Sequence, residues 1–193
     1  MRVKVVLASG SPRRSLLLTV AGFTIDVRPP DVDESLLADE SATDAVLRIA
    51  ELKANSTDRA TDEVVLAADT MVVLDGKPLG KPAGTHDASR MLASLSGRTH
   101  SVLTGWIAVG DLGERFDVTE TRVAFKTLTA DEIASYINDA QPFDKAGAYG
   151  IQGEDGRLIE SVEGSRANVM GLPLREVVDA LNDLGVERST PHG

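Results

Sequence analysis

Apolar residues recur along this chain with two periods, one near two residues and one between three and four, and the switches between them mark the elements. Val3 to Leu7 is a short apolar-rich run that reads as a buried strand. Ser11 followed by Pro12 supplies an N-cap and a first-turn proline for a helix reaching about Ala21. Beyond the Pro29-Pro30 break and an acidic loop, Ser41 and Asp44 form a capping-box-like helix start. That helix carries Val46, Ile49 and Ala50 on one face and places Lys53 on the same apolar stripe.

Val64 to Leu74 is rich in β-formers, and Asp75-Gly76 before Lys77-Pro78-Leu79 predicts a hairpin with a two-residue turn. That register sets Leu74 opposite Lys77 and Thr70 opposite Lys81. A helix is expected from Asp87 to Leu95 behind a Thr85 cap, then strands over Ser101 to Val109 and Phe116 to Phe125. Thr129 with Glu132 is a further capping box. The last helix is opened by Pro173, buries Leu174, Val177, Val178 and Leu181, and ends at Gly185. Helices alternate with strands but a hairpin interrupts them, so the pattern predicts an α/β fold with a mixed sheet and flanking helices. A single domain over 1–185 and a flexible tail over 186–193 complete this reading.

Composition narrows the function. The 193 residues include 30 acidic and 20 basic ones, a formal charge of -10, so no global field draws the chain to nucleic acid or to anionic lipid. Any phosphate site has to be local. Without cysteine there is no thiolate nucleophile or thiolate metal site, and the 3 histidines are scattered, which leaves hard-cation chemistry open. The apolar run at the start is too short for a signal-peptide core or a membrane span, so the expectation is a soluble cytoplasmic protein.

Five features could carry chemistry. In Leu7-Ala8-Ser9-Gly10-Ser11-Pro12-Arg13-Arg14, small residues precede a helix N-terminus and two arginines supply fixed phosphate donors. An ordinary capped turn with solvated arginines would look the same, and the Walker spacing is absent. Asp69, followed by Thr70, interrupts an apolar strand and has to be solvated, paired with a residue such as Lys81, or directed at a ligand. Lys53 either turns its ammonium inward over the sheet or carries it out to the surface. The acidic loop Asp31 to Glu34 and the glycine-rich run from Asp144 to Gly153 are each weak signals alone.

Taken in order, LASGSPRRS, VDE at 32–34, Lys53, AADT at 67–70, LGKP at 79–82, SGRTHSVLTG at 96–105, DKAGAYGIQG at 144–153 and NVMGLPL at 168–174 resemble the Maf family of nucleoside triphosphate pyrophosphatases. The resemblance runs from about Val3 to Leu174. It implies a fold like that of the inosine triphosphate pyrophosphatases, with a long mixed sheet and a cleft between two lobes. It makes Asp69 the proton acceptor, Glu34, Lys53 and Lys81 charged catalytic residues, and Ser9, Arg13 and Arg14 the substrate-binding loop. Arg13, Thr70 and Gln152 match positions associated with substrate choice, and DKAGAYGIQG resembles the subgroup acting on dTTP and UTP. One departure is that relatives often carry aromatics where this chain has Arg166 and Ala167.

The implied reaction yields a nucleoside monophosphate and pyrophosphate, with Mg²⁺ or Mn²⁺ held by Glu34 and Asp69. Whether Asp69 serves mainly as base or mainly as metal anchor stays open at this level, and so does a homodimer. Other readings are the same reaction on a modified or purine nucleotide, a sugar-nucleotide nucleotidyltransferase, and a nucleotide-binding regulator of cell division.

Overall fold

The computed structural model describes residues 3–188. In chain order the elements are β1 (Lys4–Leu7), α1 (Pro12–Val20), β2 (Ile25–Val27), α2 (Ala42–Asn55), β3 (Glu63–Leu74), β4 (Lys77–Leu79) and α3 (Thr85–Leu95). These are followed by β5 (Thr99–Gly110), β6 (Gly113–Phe125), α4 (Ala130–Ala140), β7 (Ile159–Glu163), α5 (Arg166–Val169) and α6 (Leu174–Asp183). The strands form one seven-stranded sheet in the order β2-β1-β3-β5-β6-β7, with β4 paired to β3. β1 is parallel to β2 and β3, whereas β4 on β3 and β7 on β6 are antiparallel. The sheet is therefore mixed and the class α/β, as the patterning predicts.

Local chemistry accounts for the starts and turns. Ser11 caps α1 by accepting from Arg14 N, and Ser41 caps α2 by accepting from Asp44 N at 3.1 Å. Thr129 and Glu132 close a full capping box on α4. Asp75 and Gly76 both have positive φ, 52° and 73°, the twist that a two-residue hairpin between right-handed strands needs. The expected pair Leu74 with Lys77 forms, but the ladder ends at Val72 with Leu79, before Thr70 and Lys81 are reached. The carbonyl of Gly80 instead accepts from Gly147 N at 3.0 Å.

Other boundaries shift for identifiable reasons. The N-cap of α3 is Gly84 rather than Thr85, and Asp87 accepts from Ala83 N at 3.1 Å across that first turn. β5 and β6 are longer than the alternation of apolar residues suggests, since residues 113–117 are exposed and stay in the strand through ladder bonding, with Arg115 also 3.5 Å from the Asp183 carboxylate. β2, β7 and α5 were not expected from the pattern, being short and only partly buried. At the C-terminal end Val186 is buried and its N–H bonds Leu181 O, and Arg188 lies over the Phe23 ring. The rest of the expected tail, 189–193, is outside the described residues.

Two compact units are present. The first comprises residues up to Asp69, Thr104–Thr119 and residues from Gly171 onward; the second comprises Thr70–Leu103 and Glu120–Met170. In the first unit, Val6, Ala8, Ala50, Ala54, Val65, Ala67 and Ile107 pack together. Four of these are alanines, so α2 lies close on the sheet and a lysine on its buried face reaches a strand residue without a large gap to cross. In the second unit, Leu92, Leu95, Phe125, Tyr136 and Ile137 are among the residues that form the core.

Gly105 sets how closely α2 approaches β5. A Cβ there would fall 2.5 Å from Val46 C and 2.6 Å from Leu47 N, which are backbone atoms that no rotamer change can move. Gly105→Ala is therefore expected to destabilise the protein toward the upper end of the ~1–3 kcal/mol range for overpacking. A urea midpoint equal to that of the parent protein would contradict the close packing described here.

Candidate active site

Between β1 and α1 the chain makes a short turn from Ala8 to Ser11, anchored by Ala8 N on Leu66 O at 2.8 Å. Ser9 is buried, and its Oγ accepts from Ser11 N at 3.2 Å and from Arg14 Nη1 at 3.0 Å. With both lone pairs engaged, the hydroxyl proton is the part of Ser9 left to donate. Arg14 is itself buried and donates through Nε to the Gly171 carbonyl at 2.7 Å, tying this turn to the segment before α6. Burial pulls the Arg14 guanidinium below its usual range and neighbouring Arg13 adds to that, while the charges of Asp69 and Glu34 act against it. Arg13, one position earlier, is half-buried at the start of the same helix.

The α2 lysine is the centre of the second cluster. Lys53 is buried, with Nζ 2.8 Å from Asp69 Oδ1 and 3.0 Å from Glu34 Oε1. Its ammonium is thus turned inward and not carried to the surface. Asp69 is buried in β3 and Glu34 is exposed on the loop before α2, so one cation joins a strand carboxylate to a loop carboxylate. Burying these charges is tolerable because each has an opposite partner at hydrogen-bond distance. Ser9, Arg13, Arg14, Glu34, Lys53 and Asp69 all belong to the first unit.

The second unit holds the other expected site residues. Thr70 follows Asp69 along β3 and is half-buried; Lys81 is exposed just beyond β4; Gln152 is exposed beside buried Ile151. The glycine-rich run that contains Gln152 is pinned from several sides. Gly147 has φ 68° and presses on Val72, and Gly150 N donates to Tyr136 Oη at 3.1 Å. Tyr149 Oη lies 2.7 Å from His100 Nε2, and both rings meet Phe125 edge-on. Burial pushes the His100 imidazole down to about 4, so it is neutral at pH 7. Arg166, at the departure from the resemblance, is exposed and its Nη2 reaches the Ile151 carbonyl at 3.5 Å. Asn168, two residues on, is fully buried and donates to Val102 O and Thr121 Oγ1, both at 3.1 Å. Sequence reading did not single out His100, Tyr149 or Asn168, although all three lie inside the quoted motifs.

Among the described residues there is no group of three or more His, Asp or Glu placed to hold a metal ion. Glu34 and Asp69 nevertheless converge on one point and each commits one oxygen to Lys53. That donor set fits Mg²⁺ or Mn²⁺, which keep waters and take one or two carboxylates plus substrate phosphate oxygens, and it does not fit an all-protein cage. The arrangement offers buried cations and a hydroxyl donor for phosphate oxygens, with a fixed carboxylate beside them.

Comparison with known proteins gives a consistent answer. A family model described as "Maf-like protein" matches residues 4–184. A "dTTP/UTP pyrophosphatase" of Geotalea uraniireducens (strain Rf4) is 48% identical over 185 residues, covering 94% of this chain and 95% of the relative. One from Anaeromyxobacter dehalogenans (strain 2CP-C) is 49% identical over 189 residues, covering 96% of each. Among solved structures, a HAM1 protein from Coxiella burnetii superposes with a TM-score of 0.51 at 19% identity, covering 94% of this chain and 99% of that one, which is a likeness of fold. No helix among the described residues is long and apolar enough to cross a membrane.

Proposed function

The chain belongs to the Maf family, and from that premise we propose that it is a cytoplasmic nucleoside triphosphate pyrophosphatase converting dTTP and UTP to the monophosphate and pyrophosphate. Relatives bearing that name align along almost the whole chain. The structural observation that carries the reading is the buried Lys53, held between the carboxylates of Asp69 and Glu34, whose charges also act on the buried Arg14. Within a chain of net charge -10, Lys53 and Arg14 are buried cations, and binding a triphosphate requires such local positive groups.

In the proposed step Ser9, Arg13 and Arg14 bind phosphate oxygens, with Lys53 and Lys81 adding positive charge. Because Lys53 engages Oδ1 of Asp69, the other carboxylate oxygen is directed to a water, orients it and takes its proton. The water oxygen forms a bond to the α-phosphorus while the α–β anhydride bond breaks, and pyrophosphate leaves intact with its developing charge on the cationic side chains. Mg²⁺ or Mn²⁺, held by Glu34, Asp69 and the phosphates, would add charge neutralisation at the leaving group.

Incubation with UTP or dTTP and either metal, resolved by chromatography, should yield UMP or dTMP and pyrophosphate. Orthophosphate with a nucleoside diphosphate, or no turnover of any triphosphate, would sink the reading.

Base choice is assigned to Gln152. Uracil and thymine present an N3 donor between carbonyl acceptors, and a carboxamide can accept from N3 and donate to a neighbouring oxygen. Cytosine lacks the N3 hydrogen, and the resulting mismatch costs ~1–3 kcal/mol. Gln152→Leu should narrow the UTP-over-CTP ratio of kcat/KM by roughly 10-fold, through loss of UTP activity, with dTTP falling in parallel. An unchanged ratio in the folded variant would take Gln152 out of base reading.

A further inference from the structure

Glu34 bonds buried Lys53, yet it stands on an exposed stretch of loop. Residues 33–39 are all exposed, and the two leucines there, Leu36 and Leu37, are 45% and 59% exposed. What holds the loop is polar. Arg48, on α2 five residues before Lys53, donates through Nη2 to the Ser35 carbonyl at 3.0 Å and to Glu40 Oε2 at 2.7 Å, and through Nε to Glu40 Oε1. Glu40 Oε2 also accepts from Leu37 N at 3.1 Å, and Asp33 Oδ1 accepts from Ser35 N at 2.9 Å. Every one of these bonds falls on a residue beside Glu34 or on the far end of the same loop.

From this geometry we infer that Arg48, paired with Glu40, is a positioning residue that holds the Glu34 carboxylate on Lys53. One helix grips the loop twice, with Arg48 on the backbone directly after Glu34 and Lys53 on its carboxylate. The planar guanidinium suits this task because one fork can meet a carboxylate through two nitrogens and still reach a carbonyl. A lysine at this position would bring its three donors on a single nitrogen and so lack the fork that spreads these contacts over Nε and Nη2. Arg48 donates to Ser35 and Glu40 and makes no hydrogen bond to Asp69 or Lys53; its charge reaches Asp69 only through space, so its bonded route to the site is the loop that carries Glu34. The inference rests on the proposed pyrophosphatase reading for its kinetic consequence, but the order of the loop can be measured without it.

The test uses Arg48→Met in the full chain, alone and combined with Glu34→Gln, and Glu40→Gln as the milder partner variant. Hydrogen exchange of backbone amides over 33–39 should accelerate by roughly 10-fold in Arg48→Met and less in Glu40→Gln, with exchange in β3 unchanged. kcat/KM for UTP should fall by roughly 10-fold in Arg48→Met but by less than about 2-fold when the same change is made in the Glu34→Gln background. A merely structural contribution would lower activity equally in both backgrounds, and that result overturns the inference. Unaltered loop exchange in Arg48→Met also overturns it, including the case where Glu34→Gln is already inactive and the kinetic comparison is empty. If the parent protein turns over no triphosphate, it is the pyrophosphatase reading that falls, and the exchange measurement alone then decides whether Arg48 orders the loop.

Discussion

Asp69→Asn is expected to lower kcat for UTP by roughly 10²-fold or more while leaving a folded protein. The amide has the shape of the carboxylate, and its oxygen can still accept from Lys53, which also keeps Glu34 at 3.0 Å. What is lost is the negative charge that a proton acceptor or a cation anchor needs. The two roles separate on metal titration. If Asp69 chiefly anchors the divalent ion, raising Mn²⁺ should recover much of the rate; if it chiefly accepts the proton, saturation with metal should leave the deficit in place. Near-normal kcat in Asp69→Asn with the same metal dependence as the parent protein would exclude both roles.

Why Asp69 could be picked out in advance, while Arg48 could not, follows from the physics of each position. Asp69 interrupts a run of β-formers, and a lone carboxylate in such a run demands a partner. Lys53 is likewise conspicuous because it falls on the stripe of Val46, Ile49 and Ala50, whose period gives its direction. The Asp75-Gly76 turn and the Ser11, Ser41 and Thr129 caps are local chemistry, readable within four residues. Arg48 has no such mark. It lies off the apolar stripe of α2, and its partners are 8 and 13 residues away in a loop without periodicity. His100 and Tyr149 are 49 residues apart and meet only once β5 and the glycine-rich run are folded. β2 and β7 escape for a related reason, because strands of 3 and 5 residues with mostly exposed side chains are held by ladder bonds that composition does not encode.

Lys53→Met should separate binding of the metal from use of it, and in opposite directions. Methionine retains the unbranched stem on the buried face of α2, so packing against the sheet is largely kept. The change removes the one cation bonded to both carboxylates, and the three groups go from a net charge of about -1 to about -2, with Asp69 buried and unable to turn away. Mutual repulsion can be relieved by Glu34, which is exposed, or by a divalent ion taking the place of the ammonium. Without nucleotide, Mn²⁺ affinity should therefore rise by roughly 10-fold, since at a few ångströms a unit charge on a partly screened site is worth more than the ~1.4 kcal/mol this represents. Turnover should move the other way. The variant loses a fixed donor for phosphate oxygens and the group that orients Asp69, and kcat/KM for UTP should fall by roughly 10²–10³-fold, as when one pre-positioned donor is removed from a charge-stabilising site. Counting free Mn²⁺ by its paramagnetic signal gives the affinity, and steady-state kinetics at saturating metal give the rate. Tighter metal with undiminished turnover would reduce Lys53 to a structural counter-ion. Slower turnover with unchanged metal affinity would show that Glu34 and Asp69 are not the metal's anchors, leaving Asp69 as the proton acceptor and Lys53 as the residue that aims it.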